Sequence, residues 1–121
     1  MRLGRIWAAL LALVLLLCPA AAQAAEVLQV RSATLLQVGD RNRTYTVELA
    51  CLEVAADADQ AAADWLRTNL PRRTKVNLRP VGNDNGTLIA RVQRLGAGGS
   101  ATDLGDGLIA AGLATPRPDC R

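Results

Sequence analysis

The first two dozen residues of this chain read as a leader that takes no part in the fold. Arg2 and Arg5 make a positive start, residues 6–18 (IWAALLALVLLLC) are apolar, Pro19 breaks the run, and Ala22-Gln23-Ala24 fits the small-x-small rule for signal peptidase. This pattern predicts a signal peptide over residues 1–24, cleavage after Ala24, and export to a periplasm, a lumen or the exterior. The apolar run has thirteen residues, against the roughly 20 that a spanning helix needs, so it reads poorly as an anchor and no mature transmembrane segment is expected. Cys18 reads poorly as a lipoprotein site, since Leu17 stands where a small residue is wanted. Processing leaves 97 of the 121 residues, enough for one small domain with a modest core.

Processing also removes most of the apparent basicity. Twelve Lys and Arg then face eleven acids, so no global field favours nucleic acid. The charge is segregated along the chain. Between residues 48 and 64 there are five acids and no base, whereas between residues 67 and 94 there are seven bases and only Asp84. That second block, Arg67, Arg72, Arg73, Lys75, Arg79, Arg91 and Arg94, reads first as the solvated faces of a helix end and two strands. Its second reading is a patch for a polyanion or an acidic partner. Tyr45 and Trp65 are the aromatics after residue 24, too few for the stacking platform of a single-strand binder.

The chain has no histidine, which excludes imidazole-based triads and the usual zinc sites. Past the leader, Cys51 and Cys120 form an even pair in an oxidising compartment. Two readings stand side by side. A disulfide would tie the tail to the third strand and add roughly 3–4 kcal/mol. Alternatively, Cys51 is a buried thiol on the strand face of Tyr45, Val47 and Leu49. Neither cysteine has a base beside it to make a nucleophile.

No internal repeat or long linker is visible, which predicts one domain over residues 25–115 and a tail over 116–121. Residues 27–38 read as one long or two short strands, and Gly39-Asp40-Arg41-Asn42 as a turn. Residues 43–54 alternate, with Tyr45, Val47, Leu49 and Cys51 inward and Thr44, Thr46 and Glu48 outward. Asp57 or Asp59 is placed to cap a helix that Pro71 stops, with Ala62, Trp65, Leu66 and Leu70 as its apolar stripe. Trp65 reads as a packing anchor rather than a ligand platform. Residues 75–81 and 87–95 are strands around Asn83-Asp84-Asn85-Gly86, a hairpin signal. Ser100-Ala101-Thr102-Asp103 offers a capping-box-like start to a last helix with Leu104, Leu108 and Ala111 inward and Gly112 as C-cap. These patterns alone predict a small, mixed, β-rich domain.

Residues 45–66 (YTVELACLEVAADADQAAADWL), 86–93 (GTLIARVQ) and 103–115 (DLGDGLIAAGLAT) together resemble the staphylococcal nuclease-like, or thermonuclease, family. The resemblance spans residues 27–115. It implies a β-rich α+β fold, a small five-stranded OB-type barrel with two short helices. The family's third, C-terminal helix has no counterpart in residues 116–121, so a shortened member is expected. The family cleaves nucleic acid with calcium, two arginines, a glutamate and metal-binding aspartates. Here its Val-Arg-Leu frame reads Val47-Glu48-Leu49, so the first phosphate-binding arginine falls on Glu48. The metal aspartate falls on Glu53 and the water-activating glutamate on Ala56. The second metal carboxylate falls on Ala33 and the second arginine on Thr87.

The resemblance therefore implies a degenerate member, a pseudoenzyme with no catalytic residues and no cofactor. An arginine fork stabilises the pentacovalent phosphorus of the transition state, whereas Glu48 opposes it. The expected function is binding of a protein or polyanion, with Arg72, Arg73, Lys75, Arg79, Arg91 and Arg94 as the candidate surface and nucleic acid one possible ligand. The alternative is a calcium-dependent nuclease with a rearranged site on Glu48 and Glu53, helped by Asp57 or Asp59. A third reading has the same acids holding calcium for stability alone. Four acids near a helix start are more often solvated surface than a site.

Overall fold

Valine and leucine recur along the first half of the domain and commit it to strands, and a computed structural model describes how residues 24–120 arrange them. The leader, residues 1–23, and Arg121 lie outside the described residues. Three strands form a meander: β1 (Ala25–Val30), β2 (Leu35–Asp40) and β3 (Arg43–Leu49). Residues 27–38 thus hold parts of two strands, with Ala33 buried in the turn between them. The pairing of β2 with β3 is unbroken from Leu35 opposite Glu48 to Asp40 opposite Arg43. The connection is only Arg41-Asn42, shorter than the four-residue turn expected. Gly39 is inside the strand, paired with Glu26 and Thr44, and a Cβ there would stand 3.2 Å from Leu28 Cδ1.

The third strand is also shorter than its alternation predicts. The Ala50 N–H donates to the Ala90 carbonyl, and Cys51 then adopts a left-handed backbone with φ of 69°. Cys51 is therefore in a turn, not on the inner face of β3, and it bonds to Cys120, which settles the two cysteine readings in favour of the disulfide. Beyond it β4 (Leu52–Glu53) pairs with β8 (Thr115–Pro116), a two-stranded sheet that the sequence reading lacked.

A 3-10 turn (Ala56–Ala58) leads into α1 (Asp59–Asn69). Its N-cap is Ala58, and no side chain caps it. Asp57 and Asp59 are thus not caps, because the preceding turn already hands its backbone on to the helix; Asp59 in the first turn favours the helix dipole. Leu70 closes the helix through its N–H to the Leu66 carbonyl, before Pro71. The stripe is as expected: Ala62, Leu66 and Leu70 are buried and Trp65 is half-buried.

The chain returns as β5 (Lys75–Asp84) and β6 (Thr87–Leu95), joined by Asn85-Gly86. Both turn residues have positive φ, 49° and 86°, the type I′ geometry that Asn-Gly favours. The register shifts between Pro80 and Gly82, so Val81 bulges outward. Two seams close the barrel in the order β1-β2-β3-β6-β5. One is the parallel pairing of Val47, Glu48 and Leu49 with Leu88, Ile89 and Ala90; the other is antiparallel, Ala25 with Val76 and Glu26 with Lys75. The architecture is a β-rich α+β fold, a closed five-stranded OB-type barrel with two short helices.

The second helix is α2 (Leu104–Ala110), preceded by β7 (Ala101–Asp103) on the free side of β6. Of the expected capping box only Asp103 acts as a cap, its Oδ1 accepting from the Asp106 N–H at 3.0 Å, because residues 101–103 are in strand. At the other end Gly112, with φ of 74°, donates to Ile109 and Leu113 donates to Leu108, a Schellman motif. Ala111 is the C-cap and exposed rather than inward, and Ile109 and Leu113 pack on the core instead. Leu36, Leu66, Leu104 and Leu108 are the largest wholly buried side chains, joining strand, both helices and barrel in one cluster. Each contributes roughly 1.5–3 kcal/mol of burial.

Candidate functional site

The positions where the thermonuclease frame would carry chemistry are set by the β3–β6 seam. Val47 and Leu49 point into the barrel, so Glu48 between them faces out, opposite Leu35 on one side and Ile89 on the other. Thr87 is two residues before Ile89 and shares that outward face. Glu48 and Thr87 are thus neighbours on adjacent strands, one an acid and the other a hydroxyl, and Arg91 flanks Ile89 on the other side of the same face. Ala33 is 1% exposed and belongs to the hydrophobic core, so the second metal position is occupied by packing.

Glu53 is on the outer side of β4, with 70% of its side chain exposed. The tail approaches it: β8 pairs with β4, the Arg117 N–H donates to the Cys51 carbonyl at 3.0 Å, and Arg117 Nε lies 4.0 Å from Glu53 Oε1. The Cys51–Cys120 bridge, with Cα atoms 5.1 Å apart, fixes this arrangement. Ala56 opens the 3-10 turn, and Asp57 and Asp59 are exposed there. Among the described residues no three Asp, Glu or Cys side chains come together as a set able to hold a metal ion. Glu48, Glu53, Asp57 and Asp59 therefore do not fit the calcium that the family resemblance implies. Glu53 faces a guanidinium instead of a second carboxylate.

The basic block divides into residues with different tasks. Arg67 pairs with Asp64 at 3.3 Å along α1, a surface pair worth little. Lys75 hydrogen-bonds to Glu26 across the β1–β5 seam. That hydrogen bond, then the Lys75 charge and more weakly that of Arg73, hold the Glu26 carboxyl below its usual range. Arg94 reaches the C-terminal end of α1, where its Nη1 donates to the Asn69 carbonyl at 3.3 Å and Asn69 Oδ1 at 3.4 Å. Arg94 is thus a strut between β6 and α1, and the helix dipole favours a cation there. Arg72 and Arg73 are exposed in the turn after α1, and the Arg73 N–H is tied to the Val27 carbonyl. Arg79 and Arg91 stand directly opposite one another on β5 and β6. Of the six bases expected to share one surface, Lys75, Arg79 and Arg91 lie on the outer face of β5 and β6, Arg94 turns to the end of α1, and Arg72 and Arg73 lie in the turn after it.

An open groove of about 950 Å³ runs along the outer side of the meander, lined among others by Glu26, Leu28, Asp40, Arg43, Lys75 and Leu95. It mixes both charges and converges no catalytic set. Trp65 lies against Gly107 of α2, as an interhelix anchor. No described helix is long and apolar enough to cross a membrane. The tail strand is the element that sequence reasoning missed here, and its signals were Cys120 and the Pro116-x-Pro118 extension that disfavours helix. No model of a known protein family matches this chain, and no curated protein does.

Proposed function

We propose that this chain is an exported, thermonuclease-like OB-type domain that binds a protein or a polyanion without hydrolysing it. The observation that carries this reading is the state of the frame positions. Glu48 and Thr87 stand at the two arginine positions of the frame, Ala33 is core, and Glu53 is met by Arg117 while the other acids form no metal-holding set with it. One oxyanion donor contributes about 3–4 kcal/mol to such a transition state, and this frame lacks two donors, the base and a metal ligand together. The alternative, a calcium-dependent nuclease on Glu48, Glu53, Asp57 and Asp59, would need those carboxylates to converge. Export is supported by the leader pattern and by a disulfide of the kind oxidising compartments sustain.

The test is nuclease activity of the purified protein on single-stranded DNA and RNA, with calcium and with chelator, beside Glu53→Ala and Glu48→Arg variants. The expected result is no cleavage by any folded sample of the native sequence. Calcium-dependent cleavage that Glu53→Ala abolishes would overturn the reading.

A further inference from the structure

The outer face of the β5–β6 hairpin carries a block of donors that the fold leaves unused. Val76, Ala90 and Val92 are buried, so the alternate residues on both strands face outward. On that face Arg79 is opposite Arg91, and Asn77 is opposite Gln93. Opposed residues in an antiparallel pair are about 4.5–5.5 Å apart, and same-face neighbours along a strand are roughly 7 Å apart. Four donor side chains thus occupy one compact rectangle.

Beyond the backbone ladder, the side chains of the two arginines and of the two amides make no hydrogen bond or ion pair with a described residue. By register two carboxylates border this face: Asp103, directly opposite Gln93 and engaged as the cap of α2, and Glu48, opposite Ile89 toward the hairpin tip; neither pairs with Arg79 or Arg91. Lys75, next along the face, is already held by Glu26. Like charges directly opposed weaken a ladder, yet this one retains both while Arg67, Lys75, Arg94 and Arg117 all have partners. A guanidinium fork matches two oxygens of a phosphate or sulfate, and two forks with flanking amides match an anion of double charge.

We infer that the Arg79–Arg91 pair, flanked by Asn77 and Gln93, is a binding site for the phosphate or sulfate ester groups of an anionic polymer. This rests on the binding-module reading and selects the polyanion over the acidic protein. Recognition runs through ester oxygens and not through bases. Of the described aromatics, Tyr45 packs on the core and Trp65 on Gly107, so no ring serves this face as a stacking platform.

The test is fluorescence anisotropy of labelled heparin, polyphosphate, single-stranded DNA and polyglutamate with the purified protein across a salt series. The comparison is Arg79→Gln/Arg91→Gln against Arg31→Gln/Arg43→Gln, which removes equal charge from exposed positions elsewhere; thermal melts establish that both are folded. The expected result is binding of the esterified polymers, weakened at least about tenfold by the first variant. Its slope of log affinity against log salt should also fall by roughly 1.5. Arg79→Lys/Arg91→Lys should recover only part of the loss, because it restores charge without the forks. The relative affinities for heparin and polyphosphate distinguish a sulfated from a phosphorylated source. Equal weakening by the two glutamine variants, or polyglutamate bound as tightly as the esters, would overturn the inference while leaving the module reading intact. No binding of any polymer by the native protein would overturn the polyanion reading itself.

Discussion

Replacing Gly107 by alanine should destabilise this domain even though it favours the helix that contains it. The Cβ of an alanine at 107 would stand 2.6 Å from Trp65 Cη2 and 3.0 Å from Cζ2. Carbon atoms pack at about 3.5–4.0 Å, so the indole must retreat by about 1 Å from the contact that joins α1 to α2. Overpacking of this kind costs about 1–3 kcal/mol, against a helix gain of about 1 kcal/mol for alanine over glycine. The net loss is about 1 kcal/mol, or roughly 4–8 °C in Tm for a domain of this size. Trp65→Leu removes the ring, and in that background Gly107→Ala should stabilise by about 1 kcal/mol, its intrinsic helix gain. The assay is thermal and urea unfolding of the four proteins by far-ultraviolet circular dichroism. The signature is a change of sign between backgrounds. A Gly107→Ala variant that melts higher than the native protein, or shifts equally in both backgrounds, would refute the proposed contact.

Replacing Cys51 and Cys120 together by serine should cost about 4 kcal/mol, given the separation of 69 residues between them. Reduced native protein and the double variant should have the same urea midpoint, and a midpoint unchanged by reductant would contradict this. Arg94→Met should lower stability by about 1–2 kcal/mol, since the Asn69 carbonyl loses its cation, and urea unfolding measures it. The Glu26 carboxyl is held low by Lys75 in the folded state. Its contribution is therefore present above the ordinary glutamate range and is lost as pH falls through the lower folded value. The stability difference between native protein and Lys75→Met should close on acidification; a difference that widens would contradict the assignment.

Much of the barrel was legible because it is written in period-two alternation and in turn chemistry. Val47 and Leu49 gave the inner face of β3, Asn85-Gly86 the hairpin, and Ala62, Leu66 and Leu70 the buried side of α1. What failed was set by long-range partners. Alternation continues through Cys51, but the bond to Cys120 and the pairing of β4 with β8 turn the chain there. Asp57 and Asp59 look like caps, yet a 3-10 turn makes a cap unnecessary. Ala111 continues the spacing of Leu104 and Leu108, but the Schellman motif at Gly112 ends the helix first. For the candidate surface, the basic residues were readable from sequence. The division of the basic block was not, because it depends on register: only pairing shows that Arg79 meets Arg91 while Arg94 meets Asn69.

Retention and cleavage of a polyanion can be read from one sample. End-labelled RNA is incubated with the purified protein at low salt, with calcium or chelator, and each mixture is divided between a native gel and a denaturing gel. The expected result is a retarded band in both conditions and RNA of unchanged length. RNA shortened only when calcium is present, by a protein whose Glu53→Ala variant leaves it intact, would contradict it.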